Sequence, residues 1–502
     1  MTTTIRLRRP PAKVLHPLEG FGAQLNTNLF ITRGRTAGEG RKLTAAQLEA
    51  LQTTIDNVRP GLSRILVRRG LRPGTAKGRA APQFVALMKT IELAQQAGAD
   101  LNLTWWGQGP YAVERRLRAL RWPNRTFHDW PDPSRRKWPP ELTEPGGITE
   151  PRHQMERFAG ILKRARQRGL DCVSSITIQN EVNAGSVDIA KQRDQFLSMR
   201  FYELLYRYLD TELKGRADPQ DPGQTLRSAV RFIAGDLVER GNSRQDSWLE
   251  YLHRNMELPR EHFPSVLDGY SIHVYWEPGA GPKGFPQKPE RRLVNLEKAV
   301  RRLGIRKPVY VTEYGVRKLH AKPHPGRLDG VRIEETVTAA FQHAWFNALA
   351  PQYGCAGLSK WVLYRTDRPA DFGEWGMIGP SATDFRRWPT YRVTRLFNHV
   401  VDPGWKAAGL GRAARVSMIA SKFVSPDKRQ DSVVVLNNTS RSQEVRVVGV
   451  KPRRSYFAVA WNRDGTGSLT SLPRVRSDAG GAATVTVPAH GLVTLLTRPP
   501  GL

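Results

Sequence analysis

The 502-residue sequence predicts an α/β protein: a (β/α)8 TIM barrel followed by a C-terminal all-β, β-sandwich-like domain. Three observations carry that expectation. Eight short apolar or β-branched runs alternate with longer segments whose apolar residues recur every three or four positions. From about Trp405 the pattern changes to short strand-like runs separated by turn residues. Neither a G-x-G-x-x-G after an early strand nor a G-x-x-x-x-G-K-[ST] occurs, so a nucleotide-binding doubly wound sheet has no support.

The strand-like runs are 20–26 (GFGAQLN), 63–68 (SRILVR), 100–106 (DLNLTWW), 174–181 (SSITIQNE), 229–236 (AVRFIAGD), 269–276 (GYSIHVYW), 308–313 (PVYVTE) and 357–363 (GLSKWVL). Helices are expected over 45–58, 81–97, 153–167, 192–213, 295–303 and 334–349. Ala97-Gly98 and Arg168-Gly169 have the form of helix C-caps. The longest interval between strands, 107–147, is rich in Pro, Arg and Trp, and its Trp122, Trp130 and Trp138 suit either an ordered lid or a Trp-anchored excursion. Beyond the barrel, 416–423, 432–437, 444–450, 455–462 and 482–487 read as strands, and the alternating 3–7 suits a further strand of the same module. The expected division is a barrel over 17–400 and a side domain over 401–502 that also takes in 1–16.

Composition narrows the function classes. The 78 Lys+Arg outnumber 46 Asp+Glu, a net charge of +32, but the excess is spread along the chain with no block of five or six like charges. Of the basic residues 59 are Arg and 19 Lys, a bias that fits coding composition as well as phosphate contacts. No zinc-finger, RNP-type or basic heptad motif appears, so no nucleic acid is expected as a partner; an acidic polymer as substrate stays open. No run of about 18 apolar residues occurs, and no membrane partner is expected. The first residues carry charge but no apolar h-region, which points to a cytoplasmic location unless a leader was removed. Two cysteines, Cys172 and Cys355, are too few for a disulfide scaffold and read as small buried residues near the N-terminal face of the barrel. Oligomeric state is not legible.

In such a barrel, chemistry sits at the C-terminal ends of the strands. The runs end in Gln24-Leu25-Asn26, Arg68, Trp105-Trp106, Asn180-Glu181, His273-Val274-Tyr275-Trp276, Glu313 and Lys360-Trp361. Two strand ends carrying Glu are the minimum equipment for glycoside hydrolysis: one carboxylic acid protonates the leaving oxygen and the other attacks the anomeric carbon. Trp faces suit the C–H faces of sugar rings, and Trp276, Trp375 and Tyr364 are candidate platforms. Other readings stay open for each: helix capping for Glu181, a buried ion pair for Glu313, core packing for His273, Trp105 and Trp361. No metal cluster and no cofactor is expected.

These residues carry a resemblance. Asn180-Glu181 in ITIQNEVN and Glu313 in PVYVTEYG lie 132 residues apart, with His273-x-Tyr275 between them and Lys360-Trp361 after. In that order the chain resembles the retaining glycoside hydrolases of clan A, and GFGAQLN with a trailing β domain looks most like family 30, then families 39 and 5. Val182-Asn183 stands where many members have Pro, and Trp105-Trp106 where some place His. The resemblance implies hydrolysis of a β-glycoside or oligosaccharide by double displacement, with Glu181 as acid/base and Glu313 as nucleophile. Asn180 would bond the sugar 2-hydroxyl, Tyr275 the nucleophile, and Arg68 would keep that nucleophile ionised. His273 matches the imidazole position of the sixth strand and Trp361 the floor of the sugar site. Glu181 is expected to have a raised pKa. Transglycosylation at the same site and a non-catalytic carbohydrate-binding role are the alternatives.

Overall fold

The computed structural model describes residues 2–13, 15–31, 43–68, 71–106, 151–183, 195–239, 242–259, 264–279, 283–316, 327–328, 331–364, 375–380, 383–413, 417–463 and 467–501. Its first strand, β1 (Thr3–Arg6), precedes the barrel. The barrel strands are β2 (Phe21–Leu25), β3 (Leu62–Arg68), β4 (Asp100–Trp106), β5 (Val173–Ile178), β6 (Arg231–Leu237), β7 (Gly269–Trp276) and β8 (Val309–Val316). A short hairpin, β9 (Arg327–Leu328) with β10 (Val331–Arg332), comes before the closing strand β11 (Cys355–Lys360). β11 pairs in parallel with both β8 and β2, so the eight strands close into a barrel as expected. The lid interval 107–147 lies outside the described residues.

The helices follow their caps. α1 (Ala45–Val58) opens on a capping box in which Thr44 and Gln47 satisfy each other's backbone N–H. α2 (Ala76–Arg79), α3 (Pro82–Gln96), α4 (Pro151–Gln167), α5 (Gln195–Lys214) and α6 (Asn242–Leu252) follow. α7 (Gln287–Leu303) begins eight residues before the expected start at 295. Pro289 disguises its first turn, where a missing N–H costs nothing. α8 (Val337–Leu349) and α9 (Pro389–Val400) complete the set; α6 and α9 have polar or Pro-led starts and no expected counterpart. Among the described residues no helix is long and apolar enough to cross a membrane.

The C-terminal module is a two-sheet all-β domain. One sheet has the order β12 (Lys406–Arg412), β13 (Met418–Val424), β14 (Asp431–Asn437), β19 (Gly491–Leu496), β16 (Ser455–Trp461), β17 (Leu469–Arg476). The other is β1, β15 (Gln443–Val448), β18 (Ala482–Val487), with β1 parallel to β15. Ile5, Val433, Val435, Val445, Val447 and Leu495 fill the space between them. The outer face of the larger sheet belongs to the barrel's apolar core: Val434, Leu436, Val459, Trp461 and Leu492 join the cluster that contains Phe21, Leu51 and Phe397. Gln352 bonds Ser421 Oγ at 2.7 Å across this seam.

Inside the barrel, polarity changes with height. Leu62, Ile233, Tyr310 and Ala356 form a buried apolar layer. Toward the N-terminal mouth Arg231 bonds Glu19 and Tyr310, closing that end. Above the apolar layer come Arg64, Asn102, Thr104, Thr177, Ser271 and Thr312, all buried and polar. Such a layer is stable only if every group is paired, and it carries the functional site on top. Cys355 opens β11 and is buried as expected; Cys172, just before β5, is only half-buried, and burial pushes both thiols up to about 12.

Candidate active site

The centre is built around Arg64. Its side chain is fully buried in β3 and points into the barrel. The guanidinium donates to Glu313 Oε1 and Asp236 Oδ2 as ion pairs, to Asn180 Oδ1 at 2.7 Å, to Thr104 Oγ1 at 2.8 Å and to Gln24 Oε1 at 3.4 Å. The cation the structure shows on Glu313 is thus Arg64, four residues before Arg68, for which that role was expected. The Arg68 side chain lies outside the described residues. Desolvation disfavours the Arg64 cation, but Asp236 and Glu313 outweigh it and raise its pKa.

Asp236 had no place in the sequence reading. It sits in a bulge of β6, where pairing with β7 jumps between Ala234 and Leu237. Gly235 makes the bulge, with φ +126°; a Cβ there would meet Ser271 O at 2.5 Å. The bulge turns Asp236 inward, where its Oδ1 accepts from Ser271 Oγ at 2.8 Å and from Thr312. Burial alone would raise its pKa; Arg64 and His273 hold it well below the usual carboxylate range. The signal in the sequence was Gly-Asp at a strand end, a bulge marker beside a group too costly to bury unpaired.

Glu313, on β8, is 3 % exposed. Tyr275 donates to its Oε2 at 2.8 Å, and His273 Nδ1 lies 3.3 Å from the same oxygen. Burial pushes the Glu313 carboxyl up, and Glu181 and Asp236 add to that, while His273 and Arg64 pull against it. Glu181 lies beyond the end of β5, on a turn where Gln179 and Glu181 both have positive φ (65° and 49°). Its side chain is 29 % exposed, and His273 Nδ1 is 3.2 Å from its Oε1. Glu181, His273 and Glu313 each present one ligand-type atom within 4.8 Å of the others, so the two glutamates approach at least that closely. The set could be read as a metal site, yet both Glu313 oxygens already accept, from Arg64 and Tyr275, and a dication would sit against the guanidinium.

His273 is the hinge of the electrostatics. It is buried, with Nδ1 between Glu181 and Glu313 and Nε2 3.6 Å from Asp236. Desolvation would lower its pKa, but Glu313 and Asp236 overcome that and raise it to about 9. At neutral pH it is an imidazolium set among the carboxyl groups of Glu181, Glu313 and Asp236.

The remaining expected residues divide by strand parity. Trp106 is 37 % exposed at the end of β4, on the same side as Thr104. Trp105 faces the other way, stacked on Phe158 of α4 with ring centroids 5.3 Å apart, and is core rather than a sugar platform. Trp276 is likewise core: it is buried against Phe346 of α8 and donates to Gln342 Oε1 at 2.8 Å. Gln24 is buried against Arg64. Asn26 follows β2, and its carbonyl accepts from Tyr364, which is a buried strut. Trp361 and Trp375 are tied together above β11. Buried Lys360 donates to Trp361 O at 2.6 Å and Trp375 O at 2.8 Å, and pairs with buried Glu334 at 3.0 Å.

No protein-family model matches the chain, and no curated protein matches it. Solved structures do. A conserved exported protein from Bacteroides fragilis is 11 % identical, covers 98 % of this chain and 100 % of its own, and superposes with a TM-score of 0.64. The catalytic domain of GH30 xylanase C from Talaromyces cellulolyticus gives 12 % identity, 98 % and 99 % coverage and a TM-score of 0.62. The α-L-arabinofuranosidase of Thermotoga maritima, solved with arabinose, gives 12 %, 99 % and 99 %, and 0.58. The chain thus shares the whole architecture of known glycoside hydrolases, barrel and β domain together, as the motif order implied.

Proposed function

We propose that the protein is a retaining glycoside hydrolase acting on β-glycosides or oligosaccharides, with Glu313 as nucleophile and Glu181 as acid/base. The observation that carries this reading is the carboxyl pair: oxygens within 4.8 Å, one carboxyl buried and clamped, the other partly open to solvent. A retaining pair needs about 5–5.5 Å and an inverting pair about 6.5–9.5 Å to admit water, so the closeness favours retention. The shared architecture with xylanases and an arabinofuranosidase supports the reaction class.

In the first step a Glu313 oxygen forms a bond to the anomeric carbon as the bond to the leaving oxygen breaks. Glu181, the carboxyl partly open to solvent, gives that oxygen its proton. Arg64, Tyr275 and the His273 imidazolium stabilise the ionised Glu313 against its burial. In the second step water loses a proton to Glu181 as its oxygen attacks the same carbon and Glu313 departs. Arg64 orients Asn180, which in this reading bonds the sugar 2-hydroxyl, an interaction that strengthens in the transition state.

The test is release of nitrophenol from aryl glycosides by wild type and by Glu313→Ala. Loss of most of the rate, with azide restoring a product of inverted configuration, is expected. Cleavage that Glu313→Ala leaves unchanged refutes the assignment.

A further inference from the structure

Strand β8 breaks its alternation where Glu313 stands. Tyr310 faces the barrel interior with Leu62 and Ile233, and Val311 faces the helices. Strict alternation would then send Thr312 inward, Glu313 outward and Tyr314 inward. Instead Thr312 and Glu313 both face the centre, on Asp236 and Arg64, and Tyr314 packs outside. The pairing shows how. Ile272 and His273 of β7 are consecutive, yet they pair with Val311 and Glu313; on the other side Leu358 and Lys360 of β11 pair with Val311 and Tyr314. β8 therefore carries one extra residue against both neighbours, a bulge at Thr312. Without the bulge the strand end would shift by one residue and Glu313 would turn toward the helices.

Tyr314 is the polar anchor on the outer side. It is fully buried, with its ring centroid 4.9 Å from that of Phe346 and 5.7 Å from that of His343, both on α8. Its hydroxyl donates to Asn347 Oδ1 at 2.7 Å, and its carbonyl accepts from Trp361 N at 3.2 Å. Asn347 is itself fully buried, and its Nδ2 has no partner among the described residues. An amide kept in an apolar core with half its bonds unmade is costly, and what it supplies here is one acceptor for Tyr314. That bond exists only with Tyr314 facing outward, so it selects the bulged register over the regular one. We propose that Tyr314, held by Asn347, is a positioning residue for Glu313: it fixes the bulge that keeps this carboxylate aimed into the site. The proposal rests on the reading of Glu313 as nucleophile.

Two measurements on the full chain test it: steady-state hydrolysis of an aryl β-glycoside, and titration of the Glu313 carboxyl by carboxyl-carbon NMR, assigned by difference from Glu313→Gln. The variants are Tyr314→Phe, Asn347→Leu and the two combined. Each is expected to lose about tenfold in kcat with KM within about twofold of wild type. The Glu313 carboxyl should titrate higher than in wild type, because its contacts with Arg64 and Tyr275 loosen. The double variant separates positioning from stability, since apolar groups in place of both partners of a buried bond leave stability nearly unchanged. A double variant with wild-type kcat and wild-type Glu313 titration shows that the pair only stabilises the fold, and overturns the proposal. So does a Glu313 titration unmoved in Tyr314→Phe, whatever glycoside is cleaved. A moved titration together with hydrolysis that Glu313→Ala leaves unchanged supports Tyr314 as the anchor and sinks the nucleophile reading instead.

Discussion

Replacing Arg64 by Met removes the cation on which two buried carboxylates depend. Asp236 and Glu313 are both in the fully buried centre, and each loses an ion pair, while Thr104, Asn180 and Gln24 lose a donor. Breaking a buried pair by removing one partner costs about 3–5 kcal/mol. Two carboxylates are stranded here, but the His273 cation and the hydroxyls of Ser271, Thr312 and Tyr275 remain, so the total should stay near that range. For a chain this large the loss corresponds to a fall in Tm of roughly 3–5 °C at pH 7. The pH dependence distinguishes this cause from lost packing. In the wild type Asp236 titrates below its ordinary value, so its contribution is present at neutral pH and lost only as pH falls through that lower value. In Arg64→Met both carboxyls titrate above their ordinary values, and protonation on acidification relieves them. The deficit should therefore be full at pH 7 and shrink toward pH 4. Thermal unfolding followed by circular dichroism at the two pH values measures it. A deficit equal at pH 4 and pH 7, or a Tm within 2 °C of wild type at neutral pH, would refute the account of Arg64 as the counter-ion.

Three further outcomes are expected. The folded pKa of His273 is raised to about 9 from 6.5, so its stabilising contribution is complete below pH 6.5 and lost as pH rises through 9. Wild-type stability should fall by on the order of 3 kcal/mol over that window, and denaturant unfolding of His273→Asn should lack the limb. Lys360→Met strands Glu334 in the core and should cost about 3–5 kcal/mol; adding Glu334→Gln should recover part of it, and additive losses in unfolding curves would contradict a coupled pair. Gly235→Ala forces a Cβ to 2.5 Å from Ser271 O and should cost about 1–3 kcal/mol while disturbing Asp236; a soluble variant with wild-type Tm would show that the bulge is not needed.

Glu181, Glu313, His273 and Tyr275 were legible because parallel strands in a closed barrel all end at one mouth, so strand-final polar residues meet whatever their sequence distance. Trp105 and Trp276 were misread for want of parity. His273 and Tyr275 share a face, so Trp276 must point away; Trp106 shares the face of Thr104, so Trp105 must point away. Arg64 was missed because it is not strand-final: that it reaches Glu313 depends on how the strands are staggered, a long-range property. Asp236 was hidden by a bulge, which breaks parity locally. Lys360 looked like part of a strand-end motif, and its partner Glu334 like the start of a helix; only the tertiary structure brings them together.

The pairing of β1 with β15 sets a timetable for synthesis. Thr3 lies beside Val445, so the first strand made must wait for more than 440 residues before its neighbour exists. At about 5–20 residues per second that interval is roughly 20–90 s on the ribosome. A nascent strand left open so long invites pairing with other chains. This one is four residues long, has one fully buried side chain, Ile5, and is followed closely by Arg8 and Arg9. Short, weakly apolar and cationic, it is suited to stay solvated until the last domain is complete and then to close its smaller sheet.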